Sequence, residues 1–340
     1  MVGAAVPALQ SAVTAPFATL TPDRILDALA TVGVLGDGRL LALNSYENRV
    51  YLVYCDEAPE GASSVVVKFY RPERWNDAQI EEEHAFVAEL AAREIPAVAP
   101  FTIGGRTLQH DAELRFSVFP RRGGRTPEID DPATLTWIGR FIGRIHAVGA
   151  QRPFAVRPTL DIATFGEASR TFLLDNGFIP ADLREAYVAV ATLALAGVRH
   201  CYDRAGAVSM LRLHGDCHAS NILWTPDGPH FVDFDDARTG PAIQDLWMLL
   251  AGDRAAMTRQ LGDMLTGYED FAELDPRELH LVEALRTLRL MHYAAWIARR
   301  WTDPAFPAAF PWFNTQRYWQ DRILELREQV AAMDEPPLAA

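Results

Sequence analysis

Apolar and polar residues alternate over short stretches in the first 120 positions of the chain. Four such stretches predict β-strands, and they cover residues 40–43, 49–55, 64–70 and 114–119. The sequence Thr21-Pro22-Asp23 is typical of a helix start, and residues 76–94 have the spacing of a longer helix that closes at Ile95-Pro96. This part of the chain therefore predicts a small β-rich unit with two helices.

Beyond residue 127 the apolar positions recur mainly at helical spacing. Five segments predict helices, at residues 134–148, 181–204, 241–248, 254–268 and 277–300. The one β interruption that we expect is a hairpin, in which strands 222–224 and 230–232 are joined by the turn 225–229. The later part of the chain therefore predicts a mostly helical unit.

Residues 121–127 contain the consecutive glycines Gly123 and Gly124 among charged residues, which favours a flexible connector. We therefore expect an α+β architecture of two lobes, with a small β-rich N-lobe and a larger, mostly helical C-lobe. The predicted boundaries are a flexible tail at 1–20, the N-lobe at 21–120, the hinge at 121–127 and the C-lobe at 128–340.

Composition narrows the class of protein without selecting one. The 340 residues are 49% apolar, which is enough for a substantial core. A net charge of −13 and the lack of a Lys/Arg run argue against a nucleic-acid surface. No long uncharged apolar segment predicts a membrane span, and the first twenty residues lack the basic start of a secretory signal. With three cysteines expected as free thiols (Cys55, Cys201 and Cys217), we predict a cytoplasmic monomer.

The strongest chemical signal is the segment Leu-His-Gly-Asp-Cys-His-Ala-Ser-Asn-Ile-Leu-Trp at residues 213–224, followed by Phe-Val-Asp-Phe-Asp at 231–235. An Asp, an Asn five residues later and an Asp after a hairpin are typical of a kinase-type phosphotransferase. We predict Asp216 as the catalytic base, Asn221 as a magnesium ligand and Asp233 as a catalytic metal ligand that bridges to the nucleotide. Alternation on a strand leaves Asp235 open as the ligand in place of Asp233.

Lys68 stands inside a strongly apolar strand, where a cation needs a partner. In kinase-type sites such a lysine contacts nucleotide phosphates and pairs with a Glu of the next helix. We predict Glu83 as this partner, with Glu82 as the alternative, because Glu83 lies at the edge of the helix's apolar face. The competing interpretation is an ordinary lysine of an edge strand.

The turn at residues 44–49 replaces the glycine-rich phosphate loop that many nucleotide-binding proteins carry before such a lysine. Its backbone amides, the Ser45 hydroxyl and the Arg49 guanidinium are candidates for contact with ATP phosphates. An unspecialised polar turn explains the same residues equally well.

Four other features favour structural roles. We expect His214 to brace the catalytic loop, Asp245 to cap its own helix and His146 to pack in the core. The aromatic and proline-rich run at 299–307 is interpreted as packing only.

Together, the loop 213–224, the turn 44–51, the segment 66–75 and residues 232–250 resemble the aminoglycoside phosphotransferase and choline kinase superfamily. Within it they are most similar to a bacterial group of kinases connected with the stress response, over nearly the whole chain. The resemblance implies a protein-kinase-like fold and ATP- and Mg²⁺-dependent phosphorylation of Ser or Thr on a protein. It also implies Asp216 as proton acceptor, Asn221 and Asp233 as metal ligands and Ser45 as an ATP contact.

Two alternatives remain open from the sequence. A small-molecule kinase of the aminoglycoside or choline type shares every catalytic residue named above, and acidic residues lining its acceptor pocket would favour a cationic substrate. A nucleotide-binding regulator without turnover is the second alternative. The intact set of Lys68, Asp216, Asn221 and Asp233 argues against the regulator.

Overall fold

In the computed structural model, residues 16–339 are described, so most of the predicted tail at 1–20 lies outside the described residues. The chain begins with helix α1 (Pro22–Ala30), whose Thr21 side chain caps the first turn as expected. Five antiparallel strands follow in the spatial order β1-β2-β3-β5-β4. Their bounds are β1 (Leu35–Leu43), β2 (Arg49–Glu57), β3 (Ser64–Phe69), β4 (Gln109–Asp111) and β5 (Leu114–Pro120).

Helix α2 (Asp77–Ala91) lies between β3 and β4 in the chain, and a reciprocal capping box of Asn76 and Gln79 fixes its start. One face of the sheet packs with α1 around a core that includes Val53, Val65 and Phe116. The four strands expected from alternation are confirmed, whereas the three-residue strand β4 was not predicted.

The rest of the chain is mainly helical, as predicted. The helices are α3 (Pro132–Gly149), α4 (Ala168–Asp175), α5 (Arg184–Ala205), α6 (Ile243–Trp247), α7 (Arg254–Tyr268), α8 (Val282–Arg299), α9 (Ala305–Ala309) and α10 (Gln316–Asp334). Helices α3 and α7 approach closely enough that a Cβ on Gly139 would lie 2.0 Å from the carbonyl oxygen of Met264. A second, larger core fills the space between these helices.

Two β-pairs interrupt the helical part, where the sequence predicted one. The expected hairpin forms from β7 (Ile222–Thr225) and β8 (Gly228–Phe231), with Ile222 opposite Phe231. The additional pair joins β6 (Leu211–Leu213) to β9 (Arg238–Gly240), so its two strands enclose residues 214–237, which include the predicted catalytic loop. Each of its strands has three residues, which is too short for alternation to be visible in the sequence.

The helix predicted at 277–300 is divided in the structure, because residues Pro276–Leu281 form a 3₁₀ helix and α8 begins at Val282. The sheet ends at Pro120 and α3 begins at Pro132, with the predicted hinge between them; the division into lobes at 121–127 stays a prediction. Among residues 16–339, no helix combines the length and apolar character needed to cross a bilayer.

Candidate active site

The loop from Leu213 to Asn221 is held in place by a buried carboxylate on α6. Asp245 accepts hydrogen bonds from the backbone N–H groups of His214 and Gly215, at 2.8 and 2.9 Å. The prediction that Asp245 caps its own helix is therefore wrong: tertiary packing aims its carboxylate at the loop instead. His146, a buried core residue as predicted, hydrogen-bonds to Asp245 at 3.2 Å and to Tyr268 at 2.9 Å.

Two further features fix the loop conformation. His214 braces it as expected, since its Nε2 lies 3.0 Å from the carbonyl oxygen of Val232 beside the hairpin. Gly215 has a φ of +84°, and a Cβ there would lie 2.2 Å from the carbonyl oxygen of Asp236. Only glycine satisfies both the backbone angle and the close approach. The position of Asp216 is thus set by backbone contacts on both sides.

The carboxylate of Asp216 has two side-chain partners, Arg289 and His218. Its Oδ1 accepts a hydrogen bond from Arg289 of α8 at 2.6 Å, and its Oδ2 lies 3.4 Å from Nε2 of His218. Burial alone would raise the pKa of Asp216, but the His218 hydrogen bond and the Arg289 charge outweigh it and lower the pKa to about 2. The carboxylate is therefore ionised at neutral pH. The sequence analysis did not single out Arg289.

Asn221 and Asp233 lie at the same end of the β7–β8 hairpin, as the hairpin predicted. The backbone N–H of Val232 donates to the carbonyl of Asn221 at 3.0 Å, and the Asn221 side chain donates to the carbonyl of Asp216 at 2.9 Å. Asp233 follows the strand with a left-handed backbone, at φ 60° and ψ 62°. Such an angle is uncommon outside glycine and is found disproportionately at functional sites.

Asp233 and Asp235 do not alternate on a strand, because β8 ends at Phe231 and a 3₁₀ turn covers 234–236. The Asp233 side chain is 51% exposed, whereas that of Asp235 is buried and bound to Arg74 at 2.6 Å. Asp233 is thus the one of the two that faces solvent.

Lys68 on β3 reaches Asp233, with its Nζ 2.7 Å from Oδ1, and lies 3.6 Å from Asp235. Burial alone would lower the pKa of Lys68, but the two carboxylates raise it well above its ordinary value. We call Lys68, Asp216, Asn221 and Asp233 the catalytic cluster, after the roles that the sequence predicts for them.

The two candidate glutamates of α2 have separate environments. Glu83 is buried, and burial raises its pKa to about 7, with the positive charge of Lys68 opposing that rise. Its Oε2 lies 4.0 Å from Arg157, while the ion pairs of Lys68 are with Asp233 and Asp235. Glu82 instead accepts hydrogen bonds from the backbone N–H groups of residues 155–157. Glu83 therefore shares the surroundings of Lys68 without a direct pair, and Glu82 anchors the segment after α3.

The turn at residues 44–49 is held by ion pairs to two distant segments. Glu47 contacts Arg71 at 3.1 Å, Arg74 at 3.2 Å and Arg300 at 2.6 Å, and it accepts a hydrogen bond from the Trp296 indole. Asp303 binds Arg71 at 2.6 Å. We call Glu47, Arg71, Arg74, Arg300 and Asp303 the turn clamp.

The two predicted phosphate contacts of this turn are engaged within the protein. The Ser45 hydroxyl donates to the carbonyl of Asn48 at 3.2 Å, and Arg49 contacts Asp303 at 3.3 Å as well as the turn's own carbonyls. The run at 299–307 is therefore more than the packing segment that the sequence predicted, since it supplies Arg300 and Asp303 to the clamp. A sequence signal was present: Arg299, Arg300 and Asp303 surround Trp301, and two arginines, at 71 and 74, follow directly after a buried strand.

Comparisons with known proteins identify the family of this chain. The phosphotransferase enzyme family model (APH) matches residues 39–282. The serine/threonine protein kinase RdoA of Salmonella typhimurium strain LT2 is 46% identical over 322 residues, covering 95% of this chain and 96% of that protein. Stress response kinase A of Escherichia coli K12 is 45% identical over the same shares. The chain belongs to the phosphotransferase enzyme family and is a phosphotransferase, which confirms the predicted membership.

Solved structures share the fold at low sequence identity. The amicoumacin kinase hAmiN aligns with a TM-score of 0.70 and 18% identity, over 93% of this chain and 94% of that chain. A microcompartment-associated aminopropanol kinase aligns with a TM-score of 0.69 and 18% identity, over 92% and 97%. The predicted two-lobed α+β kinase-like fold is thereby confirmed.

Proposed function

We propose that this chain is an ATP- and Mg²⁺-dependent protein kinase that phosphorylates serine or threonine and acts in a stress response. The observation that carries the proposal is the convergence of the catalytic cluster on one site. It is supported by the 45–46% identity, over nearly the whole chain, to relatives named as a serine/threonine protein kinase and a stress response kinase. Phosphoryl transfer requires mainly that phosphates are held, charge is neutralised and the acceptor hydroxyl is oriented.

Each member of the cluster has a distinct role in the proposal. Asp216 is ionised and fixed by its loop, so it orients the acceptor hydroxyl and takes its proton. Lys68 carries a buried positive charge at the end of the site where the phosphates would bind. Ser45 and Arg49 belong to the turn that would contact the phosphates. Glu83, when it is ionised, contributes negative charge near Lys68.

The residues fit a magnesium ion held jointly with the nucleotide. Asn221 directs its side-chain amide hydrogen to the protein, so its side-chain oxygen is the atom it offers to a cation, and Asp233 presents an exposed carboxylate. Mg²⁺ prefers oxygen ligands and is commonly bound by one or two carboxylates together with substrate phosphates. Within residues 16–339, no group of three or more His, Cys, Asp or Glu side chains forms a complete metal site, which suits a shared ion. Bound Mg²⁺ would neutralise phosphate charge there.

Transfer of labelled γ-phosphate from ATP tests the proposal. The wild type and Asp216→Ala would each be offered no acceptor, serine- and threonine-containing proteins, and a panel of amino sugars and amino alcohols, with and without EDTA. We expect metal-dependent label on protein, including self-phosphorylation, that disappears in Asp216→Ala. Asp321→Ala, a change of an exposed carboxylate on α10, is the matched control and should transfer as the wild type does.

Label on a small molecule alone would replace the protein-kinase proposal with the small-molecule alternative and keep the site. ATP binding by the wild type without any transfer would favour the regulator.

A further inference from the structure

Arg289 forms an ion pair with Asp216, the carboxylate that the proposed reaction needs as its base. Its guanidinium donates to Asp216 Oδ1 at 2.6 Å. The contact comes from helix α8, outside the loop that carries Asp216. The Arg289 side chain is 40% exposed and that of Asp216 is 22% exposed. The ion pair is therefore accessible to a ligand that enters from solvent.

An acceptor hydroxyl must hydrogen-bond to the same carboxylate. A hydroxyl donor lies about 2.5–3.0 Å from a carboxylate oxygen, which is the distance at which Arg289 already sits. Arg289 takes an acceptor site of Oδ1 and His218 lies near Oδ2, so a hydroxyl that binds from the Arg289 side competes with Arg289 for Asp216. A guanidinium that is moved from a carboxylate keeps its charge and binds best to another carboxylate or phosphate.

The other acids near the site are already paired with arginines. Glu47 and Asp303 are bound within the turn clamp, Asp235 is bound by Arg74, and Asp236 is bound by Arg74 and Arg238. These four carboxylates are therefore not available to recognise a cationic acceptor. Arg289, with a 40% exposed side chain, is an accessible positive charge beside Asp216.

We propose that Arg289 is a specificity-determining residue that exchanges its partner, binding a carboxylate of the acceptor next to the hydroxyl to be phosphorylated. The exchange leaves Asp216 to accept the hydroxyl proton. The hydroxyl oxygen then bonds to the γ-phosphorus, the bond from that phosphorus to the β,γ-bridging oxygen breaks, and ADP leaves with the bond's electrons. The proposal rests on the proposed function and names its acceptor: a Ser or Thr with an acidic residue close by.

The Arg289–Asp216 ion pair sets the distance between the hydroxyl and the carboxylate of the acceptor. One hydroxyl within about 3 Å of Asp216 and one carboxylate within about 3 Å of Arg289 place the two acceptor groups within roughly 4–7 Å of each other. Consecutive Cα atoms are about 3.8 Å apart, so the acidic residue lies within two positions of the acceptor. A free hydroxy acid of the same spacing offers the same chemistry. Long-range repulsion by the net charge of −13 is largely screened beyond about 8 Å at physiological salt.

Peptides that differ at one position test the exchange. Three serine peptides would carry Glu, Gln or Lys next to the acceptor, and kcat/KM for γ-phosphate transfer would be measured for the wild type, Arg289→Lys, Arg289→Gln and Arg289→Glu. We expect the wild type to favour the Glu over the Lys peptide by about tenfold or more. Arg289→Lys should keep the direction of preference, Arg289→Gln should remove it, and Arg289→Glu should invert it.

The matched control is Arg317→Gln, which removes one positive charge at an 89% exposed position on α10 and should leave the preference unchanged. An equal rate on all three peptides by the wild type, or a preference that survives in Arg289→Gln, would overturn the inference. An inversion by Arg289→Glu cannot arise from damage to folding.

Transfer to the Gln peptide by the wild type reports on the proposed function separately from the Glu-to-Lys ratio. Hydroxy acids and amino alcohols would be included as further acceptors. Label on a hydroxy acid alone, lost in Arg289→Gln, would reject the protein acceptor and support the role of Arg289. Label on amino alcohols alone, or on no acceptor, would contradict both.

Discussion

The catalytic cluster and the turn clamp are two groups of mainly charged residues that lie between the sheet and the helical part of the chain. Their carboxylates are similarly supplied with arginine or lysine partners, but they differ in exposure. Glu47 and Asp303 of the clamp are buried, whereas Asp233 of the cluster is half exposed and Asp216 is partly exposed. Buried ion pairs fix the positions of their residues, because breaking a pair leaves a buried charge without a partner. Exposed pairs can exchange their partner for a ligand at little cost. The comparison separates residues that build the site from residues that act in it.

The largest effect expected is on transfer rate, from a change in the cluster. Asp216→Ala removes the proposed base, and general-base catalysis typically contributes about 10²–10⁴-fold. We expect the transfer rate to fall by at least about 100-fold while ATP binding remains. Initial rates with labelled ATP, together with an ATP titration, measure both. A transfer rate within about threefold of the wild type would remove Asp216 from the catalytic cluster.

A change in the turn clamp should mainly lower the stability of the protein, in contrast to a change in the catalytic cluster. Glu47→Gln withdraws a negative charge from Arg71, Arg74 and Arg300, and removing one partner of a buried ion pair costs about 3–5 kcal/mol. Denaturant unfolding measures the free energy of unfolding. We also expect a raised KM for ATP, because the turn at 44–49 loses its anchor. A loss of activity at unchanged stability would instead place Glu47 in the reaction.

The adjacent glutamates Glu82 and Glu83 of α2 should give the stability opposite dependences on pH. Burial raises the pKa of Glu83 to about 7 from an ordinary 4.5, so between these values the folded chain holds a proton that the unfolded chain has lost. The contribution of Glu83 to stability therefore falls as pH rises from about 4.5 to 7. Relative to the wild type, Glu83→Gln should gain stability over this range, on the order of 3 kcal/mol.

Glu82 provides the matched control with the opposite sign. Burial acts to raise its pKa, but hydrogen bonds from the backbone N–H groups of residues 155–157 outweigh burial and lower it. Its contribution to stability is present above the ordinary pKa and is lost as pH falls through the lowered one. The stability cost of Glu82→Gln should thus grow as pH rises from the lowered pKa towards the ordinary 4.5 and stay constant above it. Parallel pH profiles for the two variants would contradict both assignments.

The smallest effect is expected where an ion pair is exposed and serves neither group. Arg39→Gln breaks the contact between Arg39 and Asp37 on the solvent side of β1. Exposed pairs contribute little because water screens them. Thermal unfolding and transfer should both match the wild type, which makes this variant the control for Glu47→Gln. A drop in melting temperature comparable to that of Glu47→Gln would show that burial does not separate the two kinds of pair.

Local sequence patterns predicted much of the fold and of the candidate site. Alternation and helical spacing predicted four strands of the sheet and most of the long helices, because each element must bury one face. The hairpin that brings Asn221 beside Asp233 follows from two short apolar segments and a turn. The motif 213–224 also placed Asp216 in a loop, and the resemblance to a phosphotransferase family followed from the same residues.

The sequence by itself thus determined most of the longer elements, the candidate catalytic motif and the family, since these depend on residues close together in the chain. Only the tertiary structure decided which distant charges meet. Arg289 lies 73 positions from Asp216, and Arg300 lies 253 positions from Glu47, so no local pattern relates them. It also decided that Asp245 braces the loop and that Lys68 pairs with Asp233. Ion pairs form wherever folding brings opposite charges together out of water, and that depends on how the two parts of the chain pack.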